Sequence, residues 1–170
     1  MNEVSTKSHR IEEIQAQWLK ERPDLQAHID DTALVGRLLG TAFKINKLGL
    51  NTLRPVGLGQ TDFDVMACLR RRGVPYTATP GDILQDMMIT SGTLTTCADR
   101  LLKKGLITRV RSERDERSRL LSLTAKGLQM VNELTSKRFT LASDIAKALS
   151  TDEREALHQL LAKLSDALDA

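Results

Sequence analysis

Hydroxyl and cationic side chains cluster in one stretch of the chain, residues 90–127. Hydroxyl groups can hydrogen-bond to base edges or to phosphate oxygens, and arginine or lysine side chains can neutralise phosphates. The candidate DNA contacts in this stretch are Ser91, Thr93, Thr95, Thr96, Arg100, Lys103, Arg111, Arg114, Arg117 and Arg119. The plainer alternative is a solvated basic hairpin, because a run of charge alone is weak evidence for function.

A helix followed by a hairpin is predicted to position these side chains. Residues 90–104 read as a helix that Thr90 or Ser91 caps and that Gly105 ends in a left-handed conformation. On a helical wheel, the residues facing away from its apolar side are Thr93, Thr96, Arg100 and Lys103. Two short apolar segments, 106–110 and 120–123, read as strands on either side of a polar loop. A helix followed by an arginine-rich hairpin is the plan of a winged helix.

Further helix signals precede this unit. Residues 61–72 read as a short helix with one apolar face, and Thr79-Pro80 is a cap followed by proline at the first helical position. The helix that Pro80 opens is predicted to end near Met88, which leaves a tight turn before the next helix. The connector over 74–79 is expected to hold a short strand that pairs with the wing. These elements complete a helix-turn-helix.

Amphipathic helices are predicted at both ends of the chain, over about 9–20, 30–54, 124–149 and 151–168. They carry more leucine than a small central core requires, which favours intertwined dimerisation; the alternative is a monomeric helical cap. The predicted class is mainly α with a small β-hairpin wing, a winged helix-turn-helix lobe plus a helical dimerisation region. The expected parts are an N-terminal extension with dimerisation helices (1–57), the DNA-binding lobe (58–123) and C-terminal dimerisation helices (124–170).

Composition narrows the class of protein further. The 170 residues carry a net charge of only +3. Basic residues must therefore be concentrated in one region of the surface if they are to bind DNA. The sequence has no stretch typical of a membrane span or a signal peptide, which leads us to expect a cytoplasmic protein. It also lacks a glycine-rich phosphate loop, a nucleophile elbow and metal-ligand spacing, so we expect neither an enzyme nor a cofactor nor a metal site. A winged-helix module that binds protein instead of DNA is the remaining alternative.

Two motifs resemble the MarR family of winged-helix transcription regulators. Asp115-Glu116-Arg117, followed by Leu123-Thr124 and Gly127, is similar to the family's wing signature. The run Arg100-Leu101-Leu102-Lys103-Lys104-Gly105-Leu106-Ile107 is similar to the end of its recognition helix and the strand that follows. The resemblance implies a homodimer that binds a palindromic operator in double-stranded DNA, usually as a repressor released by a small molecule.

The N-terminal helix with Trp18 and the Phe63-Asp64-Val65 run resemble the urate-responsive branch of that family. The resemblance implies a ligand pocket served by a tryptophan, an aspartate and two arginines, of which Trp18, Asp64 and Arg109 match three. The remaining arginine position falls on Cys97, and without its guanidinium an anion loses a bidentate clamp. A phenolic or more apolar aromatic effector is therefore favoured over urate.

Plainer roles compete with each of these ligand-binding assignments. From the residues alone, Asp64 and Arg109 are expected to form a salt bridge that a ligand breaks; the alternative is that they only fix the lobe. The ring of Trp18 can pack its helix against the body of the protein instead of lining a ligand pocket. Cys97 can be a small core filler or, as an alternative regulatory device, a redox switch beside the DNA-facing surface.

Overall fold

The computed structural model describes residues 5–111 and 119–169, with side chains from Ile11 onward. The elements in these ranges are α1 Ser5–Glu21, α2 Ile29–Leu53, α3 Gln60–Arg71, β1 Thr77–Ala78, α4 Pro80–Met87, α5 Ser91–Lys103, β2 Ile107–Arg111, β3 Arg119–Leu123, α6 Ala125–Ala146 and α7 Thr151–Leu168. The predicted class, mainly α with a small β wing, is confirmed. Two 3-10 segments in these ranges were not predicted: Pro23–His28, which begins at the proline that was expected to end the first helix, and Arg54–Val56, which follows α2.

The chain divides into two compact units, Met1–Gly49 and Leu50–Ala170. The first contains α1, the 3-10 segment and most of α2. Arg22 fixes the turn between α1 and the 3-10 segment, because its guanidinium donates two hydrogen bonds to Asp24, at 2.9 and 2.7 Å. The second unit contains every predicted element of the winged helix, together with α6 and α7. The functional division at residues 57 and 123 stays a prediction.

Capping side chains begin α4 and α5 where the sequence predicted. Thr79 accepts a hydrogen bond from the Asp82 backbone N–H at 3.0 Å, and Pro80 occupies the first turn of α4. Thr90 caps α5 by accepting from the Thr93 N–H at 3.2 Å. These side chains satisfy N–H groups that a helix start otherwise leaves unpaired, so each boundary is encoded locally.

The three strands form an antiparallel sheet in the order β1-β3-β2. Ile107 pairs with Leu123 at one end of the β2–β3 hairpin and Arg111 pairs with Arg119 at the other. The predicted strand in the connector is confirmed, because Thr77 lies opposite Ser122 of β3. Residues 112–118, which join β2 to β3, lie outside the described residues.

The core of the second unit forms around α3, which packs against α4, α5, α6 and β3. The side chains that share this core and are essentially inaccessible are Val65, Met66, Leu69, Ile83, Leu101, Leu106, Ile107, Val131 and Leu134. Because α3 touches both the recognition helix and α6, it is the element through which changes at one could reach the other.

The start of α6 is fastened to the turn that follows α5. The hydroxyl of Thr124 donates to the Gly105 carbonyl at 2.8 Å and accepts from the Gly127 N–H at 3.0 Å. The Thr124 backbone N–H donates to the Leu106 carbonyl at 3.1 Å. A Cβ on Gly127 would overlap the same Leu106 carbonyl, so only glycine lets the helix lie this close.

No helix in residues 5–111 or 119–169 is both long enough and apolar enough to cross a lipid bilayer.

Candidate nucleic-acid interface

The hydroxyl side chains of α5 are all exposed, as predicted for Thr93 and Thr96. The buried residues of this helix are Leu94, Cys97, Ala98 and Leu101. The Thr95 hydroxyl donates to the Ser91 carbonyl at 2.9 Å, and the Thr96 hydroxyl donates to the Gly92 carbonyl at 3.1 Å. Their hydrogens are therefore in use, which leaves oxygen lone pairs and methyl groups to face outward. Such a surface can accept hydrogen bonds from adenine or cytosine amino groups, or contact thymine methyls.

Arg100 was predicted to face DNA, but its guanidinium is bound to Asp62 on α3. Nη2 lies 2.8 Å from Oδ1, and Nε lies 3.1 and 3.2 Å from the two carboxylate oxygens. Asp62 is 2% exposed, whereas the Arg100 side chain is about half exposed. In the next turn Lys103 is exposed and free to face outward, as predicted.

Asp62 is held in its charged form by this arrangement. Burial raises the pKa of Asp62, but the hydrogen bonds from Arg100 and from the Gly59 backbone N–H outweigh that effect and leave the pKa below its ordinary value. Sequence reasoning missed Asp62. Its third position in α3 signals a capping carboxylate, but no local pattern shows that an arginine 38 residues later reaches it.

The wing strands place two of the predicted arginines opposite each other. Arg111 on β2 and Arg119 on β3 are cross-strand partners, and both are exposed. Neither has an acidic partner among the residues that the structure describes. Like charges directly opposite are destabilising in a sheet, and a bound phosphate would relieve that repulsion. The predicted contacts Arg114 and Arg117 fall within residues 112–118, outside the described residues.

A groove of about 280 Å³ runs between α5 and the sheet. Its lining brings together three predicted DNA contacts, Ser91, Thr95 and Arg119, with Arg109, a residue predicted to bind the ligand. Arg109 also donates to Asp99 of α5 at 3.2 Å. The groove is therefore lined both by residues predicted to bind DNA and by one residue predicted to bind the ligand.

The predicted salt bridge between Asp64 and Arg109 is wrong for this structure. Asp64 accepts a hydrogen bond from Gln60 at 2.8 Å, whereas Arg109 pairs with Asp99. The reason is helical geometry: two residues on from Asp62, the Asp64 side chain leaves α3 about 200° around the axis, away from α5. Burial raises the pKa of Asp64, with opposing effects from Gln60 and from the charge of Arg138.

The other residues predicted to bind a ligand do not share one cavity. Phe63 lies at a cavity between α3 and α6, and Asp64 lines a separate one near α4. Trp18 belongs to the first unit, where its half-exposed ring lines a small niche with Leu25 and His28. Sequence reasoning missed Arg138 of α6, whose guanidinium carbon lies 5.1 Å from the centre of the Phe63 ring.

Cys97 is part of the core between α3 and α5. It is fully buried, and its Sγ lies 3.6 Å from the Thr61 carbonyl oxygen. Burial, together with nearby Asp62, raises the pKa of the thiol to about 12. A thiol of this kind is protonated at neutral pH and shielded from oxidants, which favours the filler role over the redox switch. Within the described part of the chain, no cluster of His, Cys, Asp and Glu could hold a metal ion.

The winged helix matches known DNA-binding proteins in sequence and in structure. The MarR family model matches residues 58–118. The HTH-type transcriptional regulator PecS of Dickeya dadantii (strain 3937) is 32% identical over 158 residues, covering 93% of this chain and 94% of PecS.

Two solved structures are similar over most of their length. A cysteine-to-serine variant of E. coli MarR complexed with operator DNA is 25% identical with a TM-score of 0.64, covering 86% of this chain and 96% of that one. Bordetella bronchiseptica BpsR, solved to explain regulation of its DNA binding by 6-hydroxynicotinic acid, is 26% identical with a TM-score of 0.65, covering 78% and 93%. The chain belongs to the MarR family and is a DNA-binding transcription regulator, not an enzyme.

Proposed function

We propose that the chain acts as a homodimeric repressor that binds a palindromic operator and is released by a small aromatic or anionic ligand. The observation that carries the proposal is the exposed hydroxyl face of α5 beside the arginines of β2 and β3. The helix would enter the major groove, where its hydroxyls read base edges, while the wing arginines neutralise phosphates.

Uncovered apolar faces on the end helices support the homodimer. No residue of α7 is buried, and its exposed leucines are Leu157, Leu160, Leu161, Leu164 and Leu168. On α2, Leu34, Leu39 and Phe43 are more than half exposed. Contiguous apolar faces of this size mark interaction surfaces, and a second copy of the chain supplies a matching face by symmetry. Two recognition helices related by a two-fold axis fit a palindrome.

The effector is proposed from a relative and from the pocket residues. The DNA binding of BpsR is regulated by 6-hydroxynicotinic acid, an aromatic acid. Trp18, Phe63, Asp64, Cys97 and Arg109 stay our predicted ligand-binding residues. Arg109 lies at the α5–sheet groove beside three predicted DNA contacts, so a ligand there would compete with DNA directly.

Sedimentation and binding to duplex DNA test the proposal together. We expect a dimer that binds a fragment of its own promoter region far more tightly than competitor DNA, with affinity falling steeply as salt rises. The double variant Leu160→Glu, Leu164→Glu should sediment as a monomer and bind the palindrome much more weakly. A wild-type monomer, or binding with neither sequence preference nor salt dependence, would favour a protein-interaction module instead.

A further inference from the structure

The first two turns of α5 present only small, uncharged side chains to solvent. The exposed residues of these turns are Ser91, Gly92, Thr93, Thr95 and Thr96. Residues 90–98 contain no arginine, lysine, asparagine or glutamine. Arginine and lysine make the commonest specific contacts with guanine, whereas asparagine and glutamine bind adenine through two hydrogen bonds. This part of the helix therefore lacks the side chains that recognise bases through paired hydrogen bonds.

Methyl groups are the feature of this surface that can distinguish one base pair from another. Threonine methyls make apolar contacts with the C5-methyl group of thymine, which the other bases do not display in the major groove. We propose that α5 selects an A·T base pair in each half-site by contacting the thymine methyl with Thr96, in the space left open by Gly92. This selectivity rests on the proposed function, because it requires that α5 enters the major groove of an operator.

The packing of the described residues does not require glycine at position 92. Gly92 lies in the first turn of α5, and a Cβ added to it would meet no atom within 4 Å outside the adjoining helix backbone. Glycine is also a poor helix former, so this residue weakens the helix without relieving any overlap. Close approach of a ligand to the backbone is a further use of glycine, and the methyl group of a base fits such a space.

Thr96 lies one turn after Gly92, on the same face of the helix. Its hydroxyl donates to the Gly92 carbonyl at 3.1 Å. That bond fixes the rotation about the Cα–Cβ bond of Thr96, and with it the position of the methyl group. The methyl of Thr96 is thereby held beside the bare backbone of Gly92, so that one thymine methyl can contact both.

The charged side chains that follow in α5 are held by other parts of the protein. An aspartate can accept a hydrogen bond from the cytosine amino group, but Asp99 accepts one from Arg109, at 3.2 Å. Nε and Nη2 of Arg100 are bound to Asp62, which holds the guanidinium toward α3. Recognition by methyl contact therefore does not compete with a charged contact from the same turns.

The test uses the full-length chain and a duplex selected from random-sequence DNA by repeated binding. Each thymine of that duplex is replaced in turn by deoxyuridine, which removes the methyl group and keeps every hydrogen-bonding group. We expect the replacement to weaken binding by at least about fivefold at one position in each half-site. Thr96→Ser, which lacks the methyl and keeps the hydroxyl, should show the same loss on thymine-containing DNA. It should show no further loss when deoxyuridine occupies that position.

A matched control is available on α6. The hydroxyl of Thr140 donates to the carbonyl four residues earlier, at 3.1 Å, as that of Thr96 does. Thr140→Ser should leave the loss caused by deoxyuridine unchanged.

Gly92→Ala probes the open space without depending on Thr96. The added methyl occupies the space proposed for the thymine methyl, so binding to the selected duplex should fall by at least about fivefold, and deoxyuridine at the same position should restore part of it. The melting temperature should not fall, because the added Cβ overlaps nothing and alanine favours a helix. This comparison separates a lost base contact from a damaged fold.

The possible failures can be told apart. Specific binding that is insensitive to deoxyuridine at every position would overturn the selection of thymine and leave the DNA-binding function standing. Equal sensitivity in wild type and Thr96→Ser would also overturn it. Binding without any sequence preference would contradict the proposed function, and the selection of thymine with it.

Discussion

Asp62 and Arg100 join the first turn of α3 to the last turns of α5 through a bidentate ion pair whose carboxylate is almost completely buried. The pair fixes the rotation of the recognition helix relative to the helix beneath it. Arg100 therefore orients the exposed hydroxyl groups of α5, which we propose contact DNA.

Removing Arg100 should lower the stability more than neutralising Asp62. Arg100→Gln leaves a buried carboxylate without its cation, and we expect it to lower the free energy of unfolding by about 3 kcal/mol, the low end for a buried pair because Arg100 is half exposed. Asp62→Asn keeps an acceptor and leaves a cation that water can reach, so the expected loss is about 1.5 kcal/mol. Urea denaturation measures both. Equal losses would mean that the buried carboxylate does not depend on Arg100.

Stability should fall in acid because the pKa of Asp62 is depressed in the folded chain. A group of this kind stabilises the fold above its unfolded pKa, near 3.8, and the contribution is lost as pH falls through the folded value. The difference in unfolding free energy between wild type and Asp62→Asn should thus be constant near neutral pH and shrink below about pH 4. In Arg100→Gln, NMR titration should show the Asp62 carboxyl protonating at higher pH than in the wild type. A difference between wild type and Asp62→Asn that persists in strong acid would contradict an ionic role.

Base reading by α5 can be tested at one hydroxyl. Thr96→Val removes the oxygen and keeps the shape, so discrimination at particular operator base pairs should weaken by about 1–3 kcal/mol. Thr140→Val of α6 is the matched control, because its hydroxyl makes the same bond to the carbonyl four residues earlier, at 3.1 Å. Competition binding with operators altered one base pair at a time measures the loss of affinity at each position. Equal weakening on every sequence would point to a phosphate contact instead.

Gly127→Ala should destabilise the second unit. The added methyl would overlap the Leu106 carbonyl, a backbone atom that cannot move aside alone, and overpacking of this kind costs about 1–3 kcal/mol. Gly81→Ala, in the first turn of α4, meets its nearest neighbour at an ordinary 3.7 Å and should change stability by less than about 1 kcal/mol. Thermal unfolding of the two variants compares the sites directly; similar melting temperatures would contradict the close approach.

Cys97 should resist thiol reagents in the folded chain. The thiol is inaccessible and its pKa is about 12, so alkylation by iodoacetamide at neutral pH should require unfolding. Mass spectrometry of native and urea-unfolded protein measures the fraction modified at this residue. Rapid modification of the native chain would revive the redox alternative.

Local signals account for most of what the sequence predicted correctly. Thr79, Thr90 and Thr124 cap their helices and Gly105 takes a left-handed conformation, because each requirement is met within a few residues of chain. The ion pair of Asp62 could not be predicted in this way. Its partner comes from a distant segment, and a carboxylate beside phenylalanine on a helix is more often solvated than buried.

Arg138 escaped prediction for a related reason. It contacts the Phe63 ring at a cavity that exists only after α3 and α6 have packed. The predicted salt bridge between Asp64 and Arg109 failed for the same reason. The sequence indicated only that both residues lie near one joint of the fold, whereas their actual partners, the Gln60 amide and the Asp99 carboxylate, depend on side-chain directions in the folded chain.

The attachment of α6 at Thr124 and Gly127 makes that helix a lever. Its 22 residues span about 33 Å. Its anchored end lies at the turn between α5 and β2, where Thr124 bonds to Gly105. A small tilt imposed near Ala146 would reach Leu106 as a rotation of the wing's first strand. Substitutions far from any bound nucleotide could therefore change the affinity for DNA by tilting α6.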